Sequence, residues 1–211
     1  MTPLKIDLFK LHKSDYVSPK KPVLVNLKSA NYLAIAGQGE PGGEVFSSKV
    51  GALYGMAFTL KMTQKFTGLQ DYAVGKLEAL WWAPDGSPDF ASAPKNQWCW
   101  KLLIRTPDFI GAPELANAME KLMEKGKDLT VKSVKIESLA EGECVQMLHV
   151  GPYDKECESV QLMAAFAESK GCVVQGTHHE IYLSDPRRVP AAQLKTILRL
   201  PVGKAPNSNL Q

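Results

Sequence analysis

Apolar residues recur along this chain in two rhythms, and the rhythms come in the same order twice. From about residue 46 to 66, Val50, Leu53, Tyr54, Ala57, Phe58 and Leu60 return at helical spacing, which predicts an amphipathic helix. Ahead of it, 25–37 reads as one strand, closed by the loop formers Gly37, Gly39, Pro41, Gly42 and Gly43. After it come a strand over 73–82, a loop over 83–96 rich in Pro, Gly, Asp and Ser, and a strand over 97–105. A helix over 113–125 follows, with Pro113 in its first turn, Gly126 as its cap and Leu115, Met119, Leu122 and Met123 as its stripe. The second half runs through strands at 132–139 and 144–150 and the turn Gly151-Pro152-Tyr153-Asp154. It continues with a helix at 156–170 and a closing hairpin of strands 177–183 and 193–200.

The halves echo each other residue by residue. Tyr32-Leu-Ala-Ile-Ala-Gly37 corresponds to Gln146-Met-Leu-His-Val-Gly151, and Arg105-Thr-Pro107 to Arg199-Leu-Pro201. Each half has a strand with a central glutamate, Glu78 in Lys76-Leu-Glu-Ala-Leu80 and Glu180 in His178-His-Glu-Ile-Tyr182. We therefore expect one pseudo-symmetric domain over 25–202, with repeats at about 25–110 and 111–202. A short extension over 1–24, docked through Leu8, Phe9 and Leu11, precedes it, and a flexible tail over 203–211 follows.

Side chains alternate between the faces of a strand. In 177–183, His179, Ile181 and Leu183 share one face and are expected against the helices. His178, Glu180 and Tyr182 share the other, expected to face a cleft on the helix-free side. Matching parity in 73–82 puts Glu78 in the position equivalent to Glu180, with Trp82 on the same face. Arg105 and Arg199 read as caps on strand ends.

Composition narrows the function. Of 211 residues 45% are hydrophobic, enough for a substantial core. The net charge of +3 is spread thinly, without a phosphate-binding stripe, so nucleic acid is not expected as a partner. No apolar run approaches the roughly 18 residues of a membrane span, and no apolar leader opens the chain. Four scattered cysteines without a CxxC suit reduced thiols, and a cytoplasmic location is expected. No dinucleotide, phosphate-loop, zinc-protease or serine-hydrolase motif occurs, and no metal or organic cofactor is expected.

The run His149-Val-Gly-Pro-Tyr153, the strand His178-His-Glu-Ile-Tyr-Leu183 with Ser184-Asp185-Pro186, and the closing Leu198-Arg-Leu-Pro-Val202 resemble the GyrI-like small-molecule-binding family. Its relatives include the effector-binding domains of the BmrR and Rob regulators. The resemblance implies an α+β fold: duplicated βαββ units forming a largely antiparallel sheet backed by helices on one face, with the ligand cleft on the other. It further implies an aromatic-lined pocket with a buried glutamate that faces lipophilic cations. The chain has no helix-turn-helix outside the repeats, so it resembles a stand-alone branch, the cyclopropanoid cyclohydrolases, which open strained rings with water. The first half lacks the Gly-Pro-Tyr turn.

A carboxylate among apolar rings loses water and must pair with a cation or hold a proton. Ring faces add about 0.5–2 kcal/mol per well-placed cation contact. The expected partner is therefore a lipophilic, often cationic aromatic small molecule, bound by a monomer or weak homodimer. The expected ligand-contact set is Tyr54, Glu78, Trp82, Trp98, Trp100, Tyr153 and Tyr182, with Glu180 as general base where the pocket is catalytic. For Tyr54, Trp98 and Trp100 plain core packing competes with ligand contact, and bracing of its turn competes for Tyr153. Against the hydrolase stand a non-catalytic drug sensor or sequestering module and, further off, an interaction protein with a vestigial pocket.

Overall fold

Strand pairing decides which residues share a face. A computed structural model describes residues 4–205. Its strands are β1 (Val23–Leu27), β2 (Ala30–Gln38), β3 (Leu77–Trp82), β4 (Cys99–Arg105), β5 (Lys135–Leu139), β6 (Gly142–Val150), β7 (Cys172–Val174), β8 (His178–Tyr182) and β9 (Lys195–Lys204). They form one sheet in the order β1-β6-β9-β8-β3-β4-β2-β5, with β7 on the far end of β9. All these pairs are antiparallel.

The pseudo-twofold seam is the β3–β8 pair, and on either side the order mirrors itself. The stretch expected as one strand over 25–37 is two. β1 leaves β2 to pair with β6 of the other half, while β5 pairs with β2. Each half thus lends its leading strand to the other, which ties the halves into one body.

Three long helices lie on one face: α3 (Glu44–Phe66), α4 (Ala112–Glu124) and α5 (Glu156–Ser169). Glu114 caps α4 by accepting the Gly111 amide at 2.8 Å. α3 buries Ala52, Leu53, Met56, Ala57 and Leu60 on Leu33, Ile35, Leu102 and Ile104, whereas Phe58, expected in that stripe, is exposed. α5 buries Met163 and Ala167 on Val145, Met147, Leu198 and Leu200. Gly37 lets the Trp100 ring pack directly against β2, since a Cβ there would come within 2.3 Å of that ring.

The opposite face is covered by the N-terminal segment, with the short helices α1 (Leu8–Leu11) and α2 (Lys13–Tyr16). Tyr16 and Phe9 pack on Ile181, Ile197, Leu148 and Leu183. Leu8 is buried, but Leu11, expected to dock, is exposed. Beneath α2 lies a buried ionic network. Arg199 donates to Glu141 at 2.9 Å, to the Asp15 carbonyl at 2.6 Å and to Gln146. His179 lies 2.8 Å from Glu141 and 3.0 Å from Glu78, and Arg105 pairs with Asp15 at 2.9 Å. Arg105 and Arg199 are thus not strand-end caps: they hold α2 to the sheet. Residues 203–204, expected in the tail, extend β9, Ala205 bonds back to the Gly171 carbonyl at 3.0 Å, and 206–211 lie outside the described residues.

Candidate active site at the strand seam

In β8, His178, Glu180 and Tyr182 point the same way, and register shows which way. Glu180 lies opposite Ala79 and Leu198, Tyr182 opposite Thr196, and His178 opposite Trp81. Directly opposed residues share a face, and Ala79, Trp81 and Leu198 belong to the cores under the helices. Glu180 therefore stands on the helix-bearing face. The cleft was expected on the other side, but His179, Ile181 and Leu183 turn there, toward the N-terminal segment. α3 rests on β2 and β4, and α5 on β6 and β9, so the seam lies between them.

Glu78 departs from its expected place for the same reason. It lies opposite Ile181, not in step with Glu180, and projects from the back face into the ionic network. A shift of one residue in register moves a side chain across the sheet. Trp82 follows Glu78 to that side, and Trp81 takes the site-facing position.

Around Glu180 the polar groups converge. The Tyr182 hydroxyl donates to Oε2 at 2.6 Å, and His178 Nε2 lies 3.1 Å from Oε1. Glu156, from the first turn of α5, brings a second carboxylate. One ligand atom from each of Glu156, His178 and Glu180 falls within 4.8 Å of the other two, and all three residues are buried. Burial first, and then the charge of Glu180, pushes the Glu156 carboxyl well above the ordinary carboxylate range. Burial and the two glutamates likewise push the Tyr153 hydroxyl up to about 12.

The Gly-Pro-Tyr turn places Glu156. Gly151 takes φ 148°, a conformation that favours glycine, and His149 lies directly beneath it. His149 Nδ1 lies 2.9 Å from Ser159 Oγ on α5, and its Nε2 lies 3.2 Å from the Pro152 carbonyl. One imidazole thus ties strand, turn and helix together, and the turn delivers Tyr153 and Glu156 to the seam.

An aromatic wall completes the site. Phe90, from the long β3–β4 loop, sits 5.5 Å from the His178 ring, 6.0 Å from Trp81 and 4.7 Å edge-on to Trp98. Tyr153 meets Tyr182 edge-on at 5.9 Å. Of the residues expected at the site, Glu180, Tyr153, Tyr182 and Trp98 are therefore gathered there. Trp100 is not: it is fully buried in the first half's core. Tyr54 stands half-buried on α3, its ring 6.1 Å from Phe58. Glu156 and Phe90 were not among the expected site residues, and of the Trp81-Trp82 pair it is Trp81 that faces the site. The one signal for Glu156 was its place, three residues after the Gly-Pro-Tyr turn.

A buried carboxylate pair between two helices on one face of an antiparallel sheet, walled by aromatic rings, is a setting suited to holding a small molecule. The family description "GyrI-like small molecule binding domain" matches residues 20–202, and the chain belongs to that family. Among solved structures, an uncharacterized conserved protein from Listeria innocua is 38% identical with a TM-score of 0.87, over 94% of this chain and all of that one. A hydrolase from Listeria innocua is 37% identical with a TM-score of 0.84, again over 94% of this chain and all of that one. The C-terminal domain of EcmrR shares the fold at 12% identity with a TM-score of 0.56, over 88% of this chain and 98% of that one. No curated protein matches. Among the described residues, no helix is long and apolar enough to cross a membrane.

Proposed function

We propose that this protein binds lipophilic, often cationic aromatic molecules at the β3–β8 seam and adds water to strained, cyclopropane-type electrophiles there. The observation that carries the reading is the buried pair Glu180 and Glu156, flanked by His178, Tyr182 and Tyr153 and walled by Phe90, Trp81 and Trp98. The Listeria hydrolase at 37% identity supports the catalytic half.

In this reading Glu180 draws the proton from an attacking water. The water oxygen bonds to the strained carbon as the ring C–C bond breaks, and the electron pair moves into the substrate's conjugated carbonyl. Glu156, held protonated by burial and by its neighbour's charge, is the acid beside the base. It gives its proton to the enolate-type oxygen, and the proton that Glu180 took from water then passes to Glu156, which returns both carboxyls to their starting states. Positioned proton transfer of this kind contributes about 10²–10⁴-fold. The aromatic faces stabilise positive charge, on a ligand or developing on carbon.

The test has two arms. A lipophilic cationic dye is expected to quench the tryptophan emission of the site, and Glu180→Gln to abolish that binding. A cyclopropane-bearing alkylator is expected to gain one water only with the wild-type chain. Unchanged dye affinity in Glu180→Gln removes the carboxylate from the account. Intact dye binding with product formation equal to buffer leaves a binding module without hydrolysis.

A further inference from the structure

The same three side chains have a second possible occupant. Glu156, His178 and Glu180 offer two carboxylate oxygens and an imidazole nitrogen, all within 4.8 Å of one another and all buried. His178 Nε2 and Glu180 Oε1, 3.1 Å apart, already stand near the separation of two ligands on one small ion. Bonds of about 2.0–2.2 Å to a tetrahedral metal put neighbouring ligand atoms about 3.4 Å apart. One further observation points into the cluster. Glu156 Oε1 is buried without a well-formed hydrogen bond, and the Thr196 hydroxyl, opposite Tyr182 on β9, is the polar group that reaches toward it. Natural proteins rarely leave a buried carboxylate oxygen so weakly held, and a bound ion or water satisfies it.

We propose that Glu156, His178 and Glu180 bind one divalent first-row cation. Mixed imidazole and carboxylate donors suit Zn²⁺, Mn²⁺ or Fe²⁺ rather than thiolate-seeking ions. The Tyr182 hydroxyl on the second oxygen of Glu180, at 2.6 Å, and the Thr196 hydroxyl form the outer layer that orients the ligands. Three protein donors leave a coordination position for water or a ligand oxygen. The inference does not rest on hydrolysis. The ion and an organic cation compete for the same two carboxylates, and either can bind without the other.

The probe is Mn²⁺, chosen because the four cysteines of the chain prefer softer ions. The full chain, stripped with EDTA, is titrated and the free aquo ion followed by electron paramagnetic resonance. The expected result is one ion bound per chain, displaced by the cationic dye. Losing an outer-layer partner alone costs about 10–100-fold in metal affinity, so Glu156→Gln and His178→Ala should each weaken binding by at least about 100-fold. Without any substitution, paramagnetic broadening in the wild-type chain should fall on the ring resonances of His178 and spare His12. A free-ion signal equal to buffer, broadening centred away from His178, or binding that survives both substitutions in folded protein overturns the proposal. Loss of dye binding in Glu180→Gln would still stand in each of those cases.

Discussion

Arg199→Met is the sharpest test of the way the back face is built. Arg199 is 2% exposed and makes three kinds of contact: an ion pair with Glu141, a bond to the Asp15 carbonyl and a bond to Gln146. Methionine fills much of the same volume but takes one donor from each of the three acceptors. Glu141 then keeps only His179 as a cationic neighbour. Removing one partner of a buried, hydrogen-bonded pair costs about 3–5 kcal/mol, because the remaining charge stays desolvated. For a chain of this size each kcal/mol moves the melting temperature by about 2–4 °C, so Tm should fall by roughly 6–20 °C. The assay is thermal unfolding by circular dichroism at neutral pH, with limited proteolysis to follow α2. One of the anchors on Asp15 is lost with the guanidinium, leaving Arg105 and Gln146, so cleavage near α2 should precede global unfolding. Lys101→Ala is the control. Its pair with Glu137 is half-exposed, and such pairs contribute about 1 kcal/mol at most. An Arg199→Met protein that melts within about 2 °C of wild type, with α2 still protected, would refute the argument that this network fastens the segment.

The other predictions concern pH and packing. Burial alone would lower the His179 imidazole, but Glu141 and Glu78 outweigh it and hold it at about 9. A folded value above the unfolded 6.5 means stability that is fully present below pH 6.5 and lost as pH rises through about 9. The loss is on the order of 3 kcal/mol, and urea titrations across that range should show it in wild type but not in His179→Gln. Burial would raise Glu141, yet His179 and Arg199 hold it at about 2, so its contribution is present above its unfolded value and fades as acid approaches pH 2. Gly37→Ala places a methyl group 2.3 Å from the Trp100 ring and should cost about 1–3 kcal/mol through overpacking. Calorimetry that finds this variant as stable as wild type would mean that the Trp100 ring moves aside at little cost.

Much of this protein was legible as pattern. The 3.6-residue rhythms gave α3, α4 and α5 to within about two residues, because each helix buries one stripe on one sheet. Duplication was legible from Gly37 and Gly151 and from Arg105 and Arg199, and with it the expectation of a cleft between the halves. Alternation put Glu180 and Tyr182 on one face of β8, though on the helix-bearing side rather than the expected one, and Tyr153 joins them through the Gly-Pro-Tyr turn.

What the sequence could not decide was face and register. Period-two alternation says that Glu78 and Trp81 point opposite ways, but not which of them meets Glu180. That depended on pairing Ala79 with Glu180, a one-residue choice made by packing under α3 and α5. Nor could alternation reveal that β1 and β5 cross to the opposite halves, or that α2 covers the back face, where Glu78, His179 and Arg199 neutralise one another. Glu156 belongs to the same class of fact: it reaches Glu180 only because α5 starts over the seam. Local periodicity fixes what each segment is. The long-range contacts that set its neighbours exist only once the chain has closed on itself.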